Sequence, residues 1–233
     1  ALSRGHRREP GEMRMIARCN RIGMAMARLW RDRRATVIIE MAFAIPFLVL
    51  VGFAGMEIAN LSLTHTRISQ IGLSAADNAS RIAFGSSLSQ PSIREIDINE
   101  VFTGVEAQAA GLDFKTNGRI ILSSLERNAE DGQWIHWQRC YGEMDVDSAF
   151  GPEGTGITGT DFPGMGPAGS EVTAPAGTAV MFVEITYQYK SMAYGSWLGP
   201  HTIRSTAAFN IREGRDLQQV YNPSPSVTPS TCT

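Results

Sequence analysis

Two carboxylates and three thiols are the side chains whose setting in this chain could do something chemically specific. Glu40 lies inside an otherwise apolar run that follows the basic cluster Arg31, Arg33 and Arg34. In a segment suited to hydrocarbon, a central carboxylate costs about 2.5–3.5 kcal/mol on insertion scales and less toward the edge, so it needs a reason to be there. Five positions before it, the small residue Ala35 follows the arginines. A peptidase at the cytoplasmic membrane face could reach that point, leaving Thr36 as the new first residue. A second carboxylate, Glu57, closes the apolar run. The thiols are Cys19, Cys140 and Cys232, and no C-x-x-C spacing suggests a zinc site or a redox pair.

Other chemistry finds little footing. His65 has no Cys, His or carboxylate partner at ligand spacing and reads as a packing residue. Asp145 and Asp147 lack the further oxygen ligands and terminal Glu of a calcium loop, so they read as solvated loop charge. The glycines between 150 and 177 come without Gly-Lys-Ser/Thr and without a strand-to-helix frame. There is no Gly-x-Ser-x-Gly, no His-Glu-x-x-His, and no Cys with an evident His and acid partner. The expectation is therefore a non-enzymatic chain with no metal and no cofactor.

Charge distribution supplies a topology. Residues 1–35 hold ten Lys/Arg and three Asp/Glu, the remainder eleven and twenty. Basic residues flanking a membrane helix stay on the cytoplasmic side, which places the arm 1–34 inside and everything beyond Glu57 outside. Arginine clusters also bind phosphates, but an arm abutting an apolar span has a topological explanation, and no nucleic-acid partner is expected. Ala35 to Met56 offers about 22 residues, enough at 1.5 Å each to cross a hydrocarbon core of about 30 Å. The rival, a secretory signal cut after Gly52-Phe53-Ala54, is disfavoured by the long basic arm and the length of the apolar segment. On this topology Cys140 and Cys232 share an oxidising compartment and could form one disulfide, closing a long loop and stabilising by up to about 4–5 kcal/mol. The alternative is two free thiols.

Beyond Glu57 the spacing of Ile58, Leu61, His65, Ile68, Gly72, Ala75, Ala79 and Ile82 predicts that the helix runs on through 57–85, with a stop at Gly85-Ser86-Ser87. Residues 86–215 predict an α+β domain. It should contain a helix within Ile93–Ala110, with Asp97 as N-cap and Glu100 as capping-box partner, and a stop at Gly111. A hairpin follows, Arg119–Arg127 and Gln133–Cys140, with Trp134 and Trp137 on opposite faces. Residues 150–177 read as a long surface loop. In Val180–Lys190 and His201–Arg212 the odd positions are mostly apolar, predicting a second hairpin with one packed and one wet face. Residues 216–233 form a Pro/Ser/Thr-rich tail. Four strands need a cover, so the fold class is α+β, a long N-terminal transmembrane helix packed with a small antiparallel sheet.

The run Arg33-Arg34-Ala35-Thr36-Val37-Ile38-Ile39-Glu40-Met41, with Pro46 and Glu57 beyond it, resembles the TadE-like proteins of tight-adherence (Flp) pilus systems. Their pattern is Arg-Arg-Gly, a few small or apolar residues, Val-Glu-Phe-Ala, a Pro, a leucine-rich run and a second Glu. This chain has Ala35 and Met41 where the family often has Gly and an aromatic. The Tyr187-Gln188-Tyr189-Lys190 strand and the Thr-Ala-containing strand after it also look like their C-terminal part, and Trp137-Gln138-Arg139-Cys140 does so more loosely. The resemblance implies a pilin-like, membrane-anchored assembly component in the bacterial inner membrane, with a periplasmic domain. Its implied partners are membrane lipid, other pilin-like subunits and a prepilin peptidase. It also implies that Glu40 pairs with the amine freed on Thr36 of an adjacent subunit, each charge being tolerable in lipid only with the other. The competing account has Glu40 reach the interface or pair with Arg33 or Arg34. A second function class, a membrane-anchored binding or adhesion domain, would use the 150–177 loop and Trp197 as its contact surface.

Overall fold

The computed structural model describes Arg28 and residues 34–85, 90–191 and 201–232, with positions 34 and 35 described by backbone alone. Cys19, Arg31, Arg33, Trp197 and the Ser86-Ser87 stop lie outside these residues. The chain divides into two compact units, one ending at Met56 and one running from Glu57.

Helix α1 spans Arg34–Arg81 and accommodates Pro46 in its interior. Past Arg81 the backbone turns, and Phe84 and Ser92 exchange hydrogen bonds of 2.9 and 2.8 Å. Helix α2 spans Glu95–Gln108 and begins two residues before the expected cap. Asp97 is its third residue, accepting from the Arg94 backbone N–H at 3.2 Å and from the Arg94 guanidinium at 3.0 and 2.6 Å. The start falls there because Asp97 bonds back to Arg94 from the third helical position, and the extended Arg94 is held by pairing with Tyr221, through Glu95 N–H to Tyr221 O and Tyr221 N–H to Ile93 O, both 2.9 Å. Gly111, at φ +84°, follows the helix as expected. A single turn, α3 (Phe114–Asn117), leads into the sheet.

The strands are β1 (Gly118–Arg127), β2 (Gln133–Tyr141), β3 (Val180–Tyr189) and β4 (His201–Asn210). Their order is β2-β1-β3-β4, every pair antiparallel. The hairpins at either end fall where sequence placed them, and β1 joins β3 at the centre. The β1–β2 register slips between Ser124 and Leu125, so Trp137 faces Ser124 and Ile135 faces Leu125. This bulge absorbs His136 and turns Trp134 and Trp137 to one face, against the expected alternation.

One face of the sheet packs on the helices. Ile68, Ile71, Ala75 and Ala79 of α1 and Ile98, Phe102 and Val105 of α2 meet Ile120, Leu122, Val183, Ile185 and Tyr187. The other face is not wet. Leu125, Ile135, Val180 and Phe182 form a second core with Met165 and Ala174, against which Phe150, Phe162 and Val172 pack. Segment 150–177 is therefore a third layer without helix or strand, rather than a free surface loop. Its closeness to the sheet depends on glycine: Gly156 sits at φ +77°, and a Cβ there would lie 2.3 Å from Gln133 O.

The stripe of α1 also differs from the expected one at its outer end. Glu57 is 6 % exposed and Thr64 is buried, while Ile58 is 69 % exposed and His65 lies on the surface. Periodicity weighs Ile58 above Glu57, but a carboxylate can be buried where a donor meets it.

Candidate functional site

The first part of α1 carries the residues singled out for membrane chemistry. From Thr36 to Met56 the side chains are exposed apart from partly covered Ala54, including Ile38, Phe43, Phe47, Leu48 and Phe53. Among the described residues this is the one helix long and apolar enough to cross a membrane. Glu40 is exposed among these apolar groups, and Thr36 lies four residues before it, on the same side of the helix. A Cβ added at Gly52 or Gly55 would meet nothing within 4 Å among the described residues, so packing against these does not require either glycine.

Glu57 is built into the domain instead. Tyr189 Oη donates to its Oε1 at 2.9 Å, Asn60 Nδ2 donates to Tyr189 Oη at 2.6 Å, and Thr64 Oγ1 donates to Asn60 O at 2.8 Å. Burial, then the hydrogen bond to Glu57, pushes the Tyr189 phenol above its ordinary pKa. The structure thus unites Glu57 with Tyr189 at a sequence separation of 132 residues. The only hint in the sequence is the aromatic pair Tyr187 and Tyr189 on the apolar side of β3.

Arg215 and the segment after β4 were invisible to sequence reasoning. Arg215 is 3 % exposed and donates from Nη1 to Ala79 O at 3.3 Å and to Ile82 O at 3.0 Å, closing the carboxyl end of α1. A cation there complements the helix dipole and satisfies carbonyls left without an intrahelical donor. Burial lowers its pKa to about 10, with the Glu126 charge acting against the drop. Nearby, Asp77 pairs with Arg81 at 2.7 Å and Arg212 at 2.5 Å. The hydrogen bond from Arg81 is the largest influence holding its carboxyl below the usual range.

The remaining buried carboxylates are also partnered. Glu95 takes three bonds from Arg139, at 2.5, 2.9 and 3.2 Å. Glu126 accepts from Ser124 Oγ at 2.7 Å and lies 3.0 Å from His136 Nδ1. Glu184 accepts from Ser148 Oγ and the Ala149 N–H at 2.6 and 2.9 Å, and burial raises its pKa. Among the described residues no three His, Cys, Asp or Glu side chains gather as metal ligands.

Cys140 and Cys232 are joined in a disulfide, which decides between the bridge and the free thiols. The tail that carries Cys232 is held by more than this bond. Asp216 N–H donates to Pro91 O at 2.7 Å, Asn99 Nδ2 to Thr228 O at 3.1 Å, and Cys140 N–H to Ser230 O at 2.7 Å. Beside the bridge lies a cleft of about 620 Å³, whose walls include Arg119, Gln138, Ser148 and Glu153.

A long, apolar N-terminal helix followed by a four-stranded antiparallel sheet is a pilin-like architecture. Compared with known proteins, the chain matches no family model, no curated protein and no solved structure.

Proposed function

We propose that the chain is a non-enzymatic, single-span protein of the bacterial inner membrane, a TadE-like, pseudopilin-like component of a tight-adherence pilus and secretion machine. The observation that carries this reading is Glu40, an exposed carboxylate within an apolar helical stretch whose large side chains are themselves exposed. Lipid suits the apolar groups, and only a fixed cation suits the acid. On this reading the span 35–56 sits in lipid with its arm in the cytoplasm, and Glu40 pairs with the amine of Thr36 on a neighbouring pilin-like subunit after a prepilin peptidase has cut behind Ala35. The Cys140–Cys232 bond supports a domain on the oxidising side, since such bonds persist there and are rare in the cytosol.

Intact mass and N-terminal sequencing of protein extracted from membranes, with the neighbouring gene cluster expressed, test the reading directly. A chain starting at Thr36 establishes processing. A start near Gly55 would mean a released protein and overturn the anchor. An intact arm removes the amine and leaves an unprocessed membrane component, with Glu40 paired to Arg33 or Arg34.

A further inference from the structure

The two edges of the sheet are treated differently. In β2 three outward N–H groups are taken: Ile135 by Thr155 O at 2.8 Å, Gln138 by the Glu153 carboxylate at 2.9 Å, and Cys140 by Ser230 O at 2.7 Å. The loop layer, a carboxylate and the disulfide-fastened tail together close that edge. At the opposite edge, β4 pairs with β3 in an unbroken register from His201 to Asn210, with no bulge and no proline. Ile211 N–H donates to Ala179 O at 3.0 Å, which sets the phase of the ladder. Odd-numbered residues of β4 bond inward to β3, so Thr202, Arg204, Thr206, Ala208 and Asn210 turn their N–H and C=O groups outward. Among the described residues no backbone or side chain bonds to those outward groups. Long, flat, unbulged edges are what soluble domains ordinarily protect, and this domain protects the other one.

Charge narrows the occupant. From 201 to 212 the chain holds His201, Arg204 and Arg212 and no acid. Arg212 is engaged by Asp77, while Arg204 is exposed and in no ion pair among the described residues. A second copy of the chain would bring a second Arg204 to the seam with no acid to meet it. We infer that the open edge of β4 is a strand-addition site that takes an extended, acidic segment of another protein, its backbone completing the ladder and its carboxylates meeting Arg204.

The test uses the full-length protein in detergent micelles. The probe is a blocked ten-residue peptide alternating Thr and Glu, and the readout is amide hydrogen exchange along the chain. The peptide should slow exchange at the outward amides of β4 by about tenfold and leave β2 unchanged. The same peptide with Lys for Glu should have little effect. Thr206→Pro removes one outward donor and spares the bonds to β3, so it should weaken the probe by about tenfold with the thermal midpoint retained. Arg204→Glu should reverse the preference toward the Lys peptide, and it carries the test if the proline variant does not fold. No slowing, or equal slowing by both peptides, would overturn the proposal. Slowing without peptide that grows with protein concentration would also overturn it, assigning the edge to a second copy.

Discussion

Between Thr36 and Met56, α1 turns Ile38, Phe43, Phe47 and Phe53 outward and carries one exposed carboxylate, Glu40. Between Glu57 and Arg81 the same helix buries Ile68, Ile71, Ala75 and Ala79 and carries one buried carboxylate, Glu57. The two acids resemble each other in sequence, each beside an apolar neighbour. What separates them is the setting: Tyr189 meets Glu57 inside the domain, while Glu40 is exposed on a helical stretch that is apolar enough to cross a membrane. A helix segment is therefore assigned to a core or to a membrane by what the rest of the chain supplies to its polar groups, and its apolar content alone does not decide the matter.

The largest effect that would break this comparison concerns Glu40. Glu40→Lys should abolish pilus assembly while membrane insertion and the thermal midpoint of the protein stay unchanged, read by surface pilin and by melting in detergent. Normal assembly by this variant would remove the functional half of the contrast. At the far end of the helix, Arg215→Met should destabilise by about 3 kcal/mol in chemical unfolding, because the carbonyls of Ala79 and Ile82 lose a charged donor in a buried place.

The glycines sharpen the contrast further. Gly72 lies where a Cβ would already be 3.4 Å from Ile185 Cδ1. Gly72→Leu should cost about 2 kcal/mol by overpacking, whereas Gly52→Leu should leave the unfolding midpoint alone. Smallest is Tyr189→Phe, which strips Glu57 of a donor and should cost about 1 kcal/mol. If Tyr189→Phe left stability untouched, the buried pair would not be what holds Glu57 in place.

Much of the fold was legible locally. The odd-position alternation of β3 and β4 found the helix-facing side, since Met181, Val183, Ile185 and Tyr187 are buried there. It missed the second covered face, because a Gly/Pro-rich segment shows no periodicity from which a packing role could be read. It also missed the bulge at His136, which depends on a partner strand. Of the residues singled out from sequence, Glu40 stood out by its cost in an apolar run, and the Cys140–Cys232 pair by compartment and count. Tyr189, Asn60 and Arg215 did not, since nothing near them in sequence names Glu57 or the end of α1 as their target.

The sequence by itself determined the elements whose signals are local: a 48-residue helix, two hairpins and a charge asymmetry at the amino end. Only the tertiary structure decided which polar groups could be buried, which face of the sheet the loop covers, and what closes the β2 edge. Those outcomes depend on groups brought together across the chain, and the free energy of a buried charge or an unpaired N–H is set by its neighbours in space.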